Sequence, residues 1–89
     1  MDVTIRIPSL LRQYTEMQSE IELKGNTVAA VLENFKVRFQ DASNRFFSPK
    51  TAHYMNLYLN DQNIRTLNNL DSPFHENDVL SIVFAIAGG

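Results

Sequence analysis

The run Val79-Leu80-Ser81-Ile82-Val83-Phe84-Ala85-Ile86 is almost continuously apolar and lies between the turn residues Glu76-Asn77-Asp78 and the ending Ala87-Gly88-Gly89. Its length is that of a strand, and the missing polar alternation is the pattern of a strand covered on both faces. Such a strand belongs in the middle of a sheet. The rest of the chain must then supply neighbours on either side of it.

Toward the N-terminus, Val3, Ile5 and Ile7 alternate with Thr4 and Arg6 and stop at Pro8, which has no N–H to give to a ladder. A polar stretch at residues 13–15 leads to a second alternation, Met17, Ser19, Ile21 and Leu23 against Gln18, Glu20 and Glu22, closed by the turn signal Lys24-Gly25-Asn26. These two strands make a hairpin. From Thr27 the period lengthens, and Val28, Val31, Leu32, Phe35 and Phe39 share one face of an amphipathic helix capped by Asn26 or Thr27. Residues 41–47 form a further short helical piece, and Ser48-Pro49 opens a polar loop that runs to about Tyr54.

Met55, Leu57 and Leu59 then alternate with Asn56 and Tyr58, followed by the turn Asn60-Asp61-Gln62-Asn63 and a short returning arm at Ile64-Arg65. A right-handed crossover through the helix sets the third strand parallel to the second in one sheet, with the apolar last strand in the middle. The pattern is that of an α+β fold of the β-grasp (ubiquitin-like) kind, a mixed sheet of about five strands with one main helix packed across it. Residues 1–86 are expected to form the domain and residues 87–89 a flexible tail.

Eighty-nine residues make one domain, and 44% hydrophobic content suffices for one core. Eight Lys and Arg against ten Asp and Glu, net −2, provide no single-sign field for a nucleic acid or an anionic membrane. With no cysteine, disulfides, thiolate metal sites and a cysteine nucleophile are excluded. The start Met1-Asp2-Val3-Thr4-Ile5-Arg6 has neither the charge nor the apolar stretch of a signal peptide, so a cytoplasmic location is expected. No nucleophile–base pair or phosphate loop appears, which argues against an enzyme. His53 and His75 sit among turn residues and read as surface histidines, so no metal is assigned. Tyr54 and Tyr58 read as cross-strand packing.

Two of the three glycines, Gly88 and Gly89, end the sequence directly after its most apolar strand. The side chains taper from Ile86 through Ala87 to none, a shape able to thread a narrow channel, with the α-carboxylate of Gly89 as the reactive group and Gly88 and Ala87 giving access to it. A carboxylate resists nucleophiles until it is activated, most simply as an acyl adenylate made with ATP and magnesium. Without a Cβ at Gly89, its carbonyl is open from either face.

The whole chain resembles the prokaryotic ubiquitin-like (β-grasp) sulfur carriers of the MoaD/ThiS family. The likeness rests on Val3-Thr4-Ile5-Arg6-Ile7-Pro8-Ser9-Leu10-Leu11-Arg12, on Asn56-Leu57-Tyr58-Leu59-Asn60-Asp61 with Arg65, and on Ala85-Ile86-Ala87-Gly88-Gly89. Within the family it is most similar to the thiocarboxylate carriers of a cysteine synthase pathway, with the small subunit of molybdopterin synthase as the nearest sister. Members commonly carry a proline a few residues before the Gly-Gly, where this chain has Phe84.

The resemblance implies a carrier with no bound cofactor, adenylated by an E1-like enzyme that uses ATP and Mg and given sulfur from a persulfide. It implies a cysteine synthase-like acceptor and a metalloprotease, or alternatively a molybdopterin synthase large subunit. A ubiquitin-like modifier conjugated to lysines is the other open class. Val83, Phe84 and Ile86 are candidates for docking a partner. Arg65 either meets a partner's acidic surface or is a solvated charge.

Overall fold

A computed structural model of the chain describes residues 2–46, 55–67 and 69–84. Five strands, β1 (Asp2–Arg6), β2 (Glu20–Lys24), β3 (Met55–Leu59), β4 (Gln62–Asn63) and β5 (Val79–Phe84), form one sheet in the order β2-β1-β5-β3-β4. Three helices, α1 (Ser9–Arg12), α2 (Val28–Arg38) and α3 (Gln40–Phe46), and two 3-10 turns, Ile64–Thr66 and Asn69–Asp71, complete the described elements. The last strand is central, as its composition requires.

β1 and β2 are antiparallel with Ile5 opposite Ile21, so the hairpin stands as expected. β5 is parallel to β1 and antiparallel to β3, which makes β3 parallel to β2 across the sheet. One face of the sheet carries Val3, Ile5, Ile21, Leu23, Leu57, Leu59, Leu80 and Ile82, all buried in one core with Val28, Val31, Leu32 and Phe35 of α2. Each such side chain contributes about 1.5–3 kcal/mol by leaving water, the largest favourable contribution to this fold. Thr27 is the cap of α2, its hydroxyl accepting from the Ala30 N–H at 3.2 Å.

Three expectations are corrected. β2 begins at Glu20 rather than Met17, because residues 13–19 close a tight turn in which Glu16 and Met17 are left-handed (φ 58° and 61°) and Met17 stands out into solvent. Thr15 anchors that turn: it is fully buried, with its hydroxyl 3.3–3.5 Å from the carbonyls of Leu11, Arg12 and Gln18. Before it, α1 forms over Ser9–Arg12, a segment to which the sequence pattern assigns no element, and buries Leu11 completely.

The returning arm of the second hairpin is β4, two residues earlier than expected. Asn60, left-handed at φ 56°, turns the chain so that Leu59 faces Gln62, and Ile64-Arg65 fall in a 3-10 turn. Finally, β5 is not covered on both faces. Leu80 and Ile82 are buried, Val79 and Ser81 are half-buried, and Val83 is 43% exposed. The apolar residues on its outer side are therefore unspent surface. The stretch 41–47 is helical from Gln40 to Phe46, and the loop at residues 48–54 lies outside the described residues.

Candidate functional site

β5, the central strand, is described as far as Phe84. Ile86, Ala87, Gly88 and Gly89 lie outside the described residues. Val83 and Phe84 are the last described positions before them. Val83 is paired across from Asn56 and faces outward; Phe84, across from Met55, shares the inward side with Leu80 and Ile82 and packs partly against the core. Tyr58 lies on the outer side, opposite both Ser81 and Asn63, where an aromatic packs across strands.

Arg65 is exposed in the 3-10 turn beyond the edge strand β4, with its backbone N–H donating to Asn63 Oδ1 at 3.0 Å. It is separated from β5 by β3 and β4 and does not line the cavity that Val83 and Phe84 line.

That cavity exists because two parallel strands part. β1 and β5 are paired from Thr4 opposite Val79 to Arg6 opposite Ser81. Beyond Arg6, the Ile7 N–H extends the β2 ladder to the Ser19 carbonyl at 2.8 Å, while Pro8, the next residue on the β5 side, has no N–H to offer, and the chain enters α1. β5 continues beside β3 alone, as far as Phe84. The parting opens a groove of about 810 Å³, walled by Pro8, Leu10 and Arg12 on one side and by Ile82, Val83 and Phe84 on the other. Arg12 is held by its Nε, which donates to the Ile7 carbonyl at 3.1 Å. Arg6, on the same lining, pairs with Glu20 at 3.5 Å in an exposed ion pair of modest worth.

Leu10 and Arg12 lie in a stretch that carries the family resemblance, but the sequence pattern assigns no element between Pro8 and Gln13 and so gives them no site role. The signal that could have found them is Pro8-Ser9 ahead of Leu10-Leu11-Arg12, a proline followed by a helix-starting serine and one apolar face.

The opposite end of β5 is tied down by polar contacts. The Asn60 amide donates to Asp78 Oδ1 at 3.1 Å and the His75 backbone N–H donates to Asp78 Oδ2 at 2.8 Å. Partial burial pushes the Asp78 carboxyl upward, but those two hydrogen bonds and the nearby His75 ring outweigh it and hold the group below the ordinary carboxylate range. Asn60, Ser72, His75 and Asp78 line a smaller cavity of about 360 Å³. The Ser72 hydroxyl is buried there without a partner among the described residues. Among the described residues no group of His, Asp or Glu could hold a metal ion, and no helix is long and apolar enough to cross a membrane. The arrangement sets an apolar groove beside Val83 and Phe84, the last described residues of β5.

Comparison with known proteins gives the following relatives. The profile of the ThiS family matches residues 5–89. The sulfur carrier protein CysO of Mycobacterium tuberculosis is 31% identical over 93 residues, covering the whole of both chains. A chain of the Amycolatopsis orientalis BexX/CysO complex superposes with a TM-score of 0.85 at 31% identity, over 98% of this chain and 99% of that one. The small archaeal modifier protein 1 of Methanosarcina acetivorans superposes at 0.83 over 99% and 96%, with 22% identity, a likeness of fold.

Proposed function

The chain belongs to the ThiS family of β-grasp sulfur carriers, and from that membership we propose that the carboxylate of Gly89 is the group that carries the sulfur. The observation that carries the reading is that the family match runs through Gly88 and Gly89 and extends back to Ile5 in β1. Residues 87–89 act as the tail of a domain formed by residues 1–86. Gly88 and Ala87 give access, and Val83, Phe84, Ile86 and Arg65 contribute to docking.

The chemistry follows from the inertness of a carboxylate. A carboxylate oxygen of Gly89 attacks the α-phosphorus of ATP in an E1-like enzyme, with magnesium neutralising the phosphates, and pyrophosphate leaves. A persulfide sulfur then attacks the adenylate carbonyl and AMP departs, leaving an acyl disulfide. A second thiol cleaves the S–S bond, so that the thiocarboxylate stays on Gly89 and the thiols end as a disulfide. Catalytic groups for these steps belong to the partner enzymes. The carrier supplies a terminus without a Cβ and a surface that sets its direction.

The sulfur acceptor is a cysteine synthase-like enzyme. The thiocarboxylate sulfur displaces the leaving group of an activated serine, an S-to-N acyl shift joins the new cysteine to Gly89 by an amide, and a metalloprotease hydrolyses it. Full-length identity of 31% with CysO supports this acceptor over a molybdopterin synthase.

The test is intact mass after incubation with the activating enzyme of the same organism, MgATP and a persulfide donor. An oxygen-to-sulfur mass change is expected in the native chain and absent when Gly89 is deleted. A folded native chain that gains no sulfur under these conditions rejects the assignment. Isopeptide adducts on lysines in place of the thiocarboxylate would assign the chain as a modifier.

A further inference from the structure

The groove between α1 and the end of β5 has a charge pattern unlike that of the chain around it. The protein is net negative, yet the groove lining contains Arg6 and Arg12 and no carboxylate. Arg6 has Glu20 beside it. Arg12 is half-buried and has no carboxylate within ion-pair distance among the described residues, so no opposite charge offsets its partial desolvation. Its Nε is committed to the Ile7 carbonyl, which fixes the stem and leaves the two terminal nitrogens as a planar fork suited to a carboxylate. In the same lining, Leu10 and Val83 are each 43% exposed. The complement of this surface is an apolar side chain next to a carboxylate.

We propose that the groove receives a segment of the tail-activating enzyme in which an apolar side chain packs on Leu10 and Val83 while an aspartate or glutamate pairs with Arg12. This rests on the sulfur-carrier reading. The occupant is set by reach: five residues follow Phe84, and an extended chain of that length spans at most about 16–18 Å. A protein that holds the Gly89 carboxylate must therefore lie against this end of the domain, where the groove is. Activation is the encounter that every later fate of the tail requires.

Steady-state adenylation by the activating enzyme of the same organism, followed as pyrophosphate release, tests the proposal. With Arg12→Gln or Leu10→Ser, KM for the carrier is expected to rise about tenfold or more with kcat near native, because the contact is remote from the reacting carbonyl. Lys36→Gln, a cation on α2 paired with Glu33, provides the reference and should leave KM unchanged. Leu10 is exposed and makes the test independent of any folding role of the Arg12 hydrogen bond. Native kinetics in both groove variants overturn the groove assignment and leave the carrier reading standing. Native kinetics together with a dimer that Leu10→Ser dissolves would instead give the groove to a second copy. If the native chain is not adenylated at all, the carrier reading falls and this inference falls with it.

Discussion

Asn60 and Val79 hold each other in both directions: the Asn60 backbone N–H donates to the Val79 carbonyl at 2.7 Å, and the Val79 N–H donates to Asn60 Oδ1 at 3.1 Å. The turn that ends β3 is thereby locked to the first residue of β5, nineteen positions later in the chain. The side-chain half of this lock needs Asn60 to be left-handed, a conformation that asparagine tolerates better than most residues.

Replacing Asn60 by alanine is therefore expected to cost about 1–3 kcal/mol, from lost hydrogen bonds and the left-handed backbone together. Asn60→Gly keeps the backbone permissive and should cost less. Urea unfolding of the two variants measures the difference. Equal destabilisation would mean that the side-chain bonds alone matter.

Asp78 predicts a pH dependence. Its carboxyl is lowered in the folded state by the Asn60 amide, the His75 N–H and the His75 ring, against the opposing effect of burial. A depressed acid stabilises the fold above its unfolded value, so the contribution is complete above about pH 5 and is lost as pH falls through the lowered folded value. The unfolding free energy of Asp78→Asn should fall less steeply below pH 5 than that of the native chain. Parallel pH profiles would count against the contacts seen here.

Gly25 lies where a Cβ would stand 2.6 Å from Val31 Cγ2 and 2.9 Å from the Val31 backbone nitrogen. The second neighbour is main chain at the start of α2 and has little room to yield. Gly25→Ala is expected to destabilise by about 1–3 kcal/mol through overpacking. Thermal unfolding reads this directly, and an unchanged midpoint would show that the helix can shift.

Adjacent residues of β5 should respond oppositely to one substitution. Ile82 is 3% exposed, so Ile82→Asp buries an unpaired carboxylate and should prevent stable folding. Val83→Asp lies on the open side and should change stability by only about 0.5 kcal/mol, while weakening adenylation by the partner enzyme. Circular dichroism and adenylation kinetics on the pair separate the two faces. Loss of folding in Val83→Asp would show that the outer face is covered.

Much of this protein can be read from local pattern, because local pattern is set by local sterics and by which residues avoid water. The alternation of Val3, Ile5 and Ile7, the helical spacing from Val28 to Phe39 and the apolar run from Val79 specify a hairpin, a helix and a central strand. The proposal that Gly88-Gly89 is the reactive end likewise starts from the sequence. Other features depended on contacts between distant residues. Met17 and Ser19 continue the alternation of β2, yet Thr15 buries itself against Leu11, Arg12 and Gln18 and forces the chain into a left-handed turn there. Hydropathy made β5 a strand covered on both faces, whereas only its Leu80 and Ile82 side meets α2 and the core, because hydropathy does not count how many layers a small domain can build. The groove beside Val83 depends on where β1 leaves β5. That point is decided by Pro8, which has no N–H for β5, and by the turn there into α1, so Leu10 and Arg12 line the groove with the end of β5 only once the sheet has assembled.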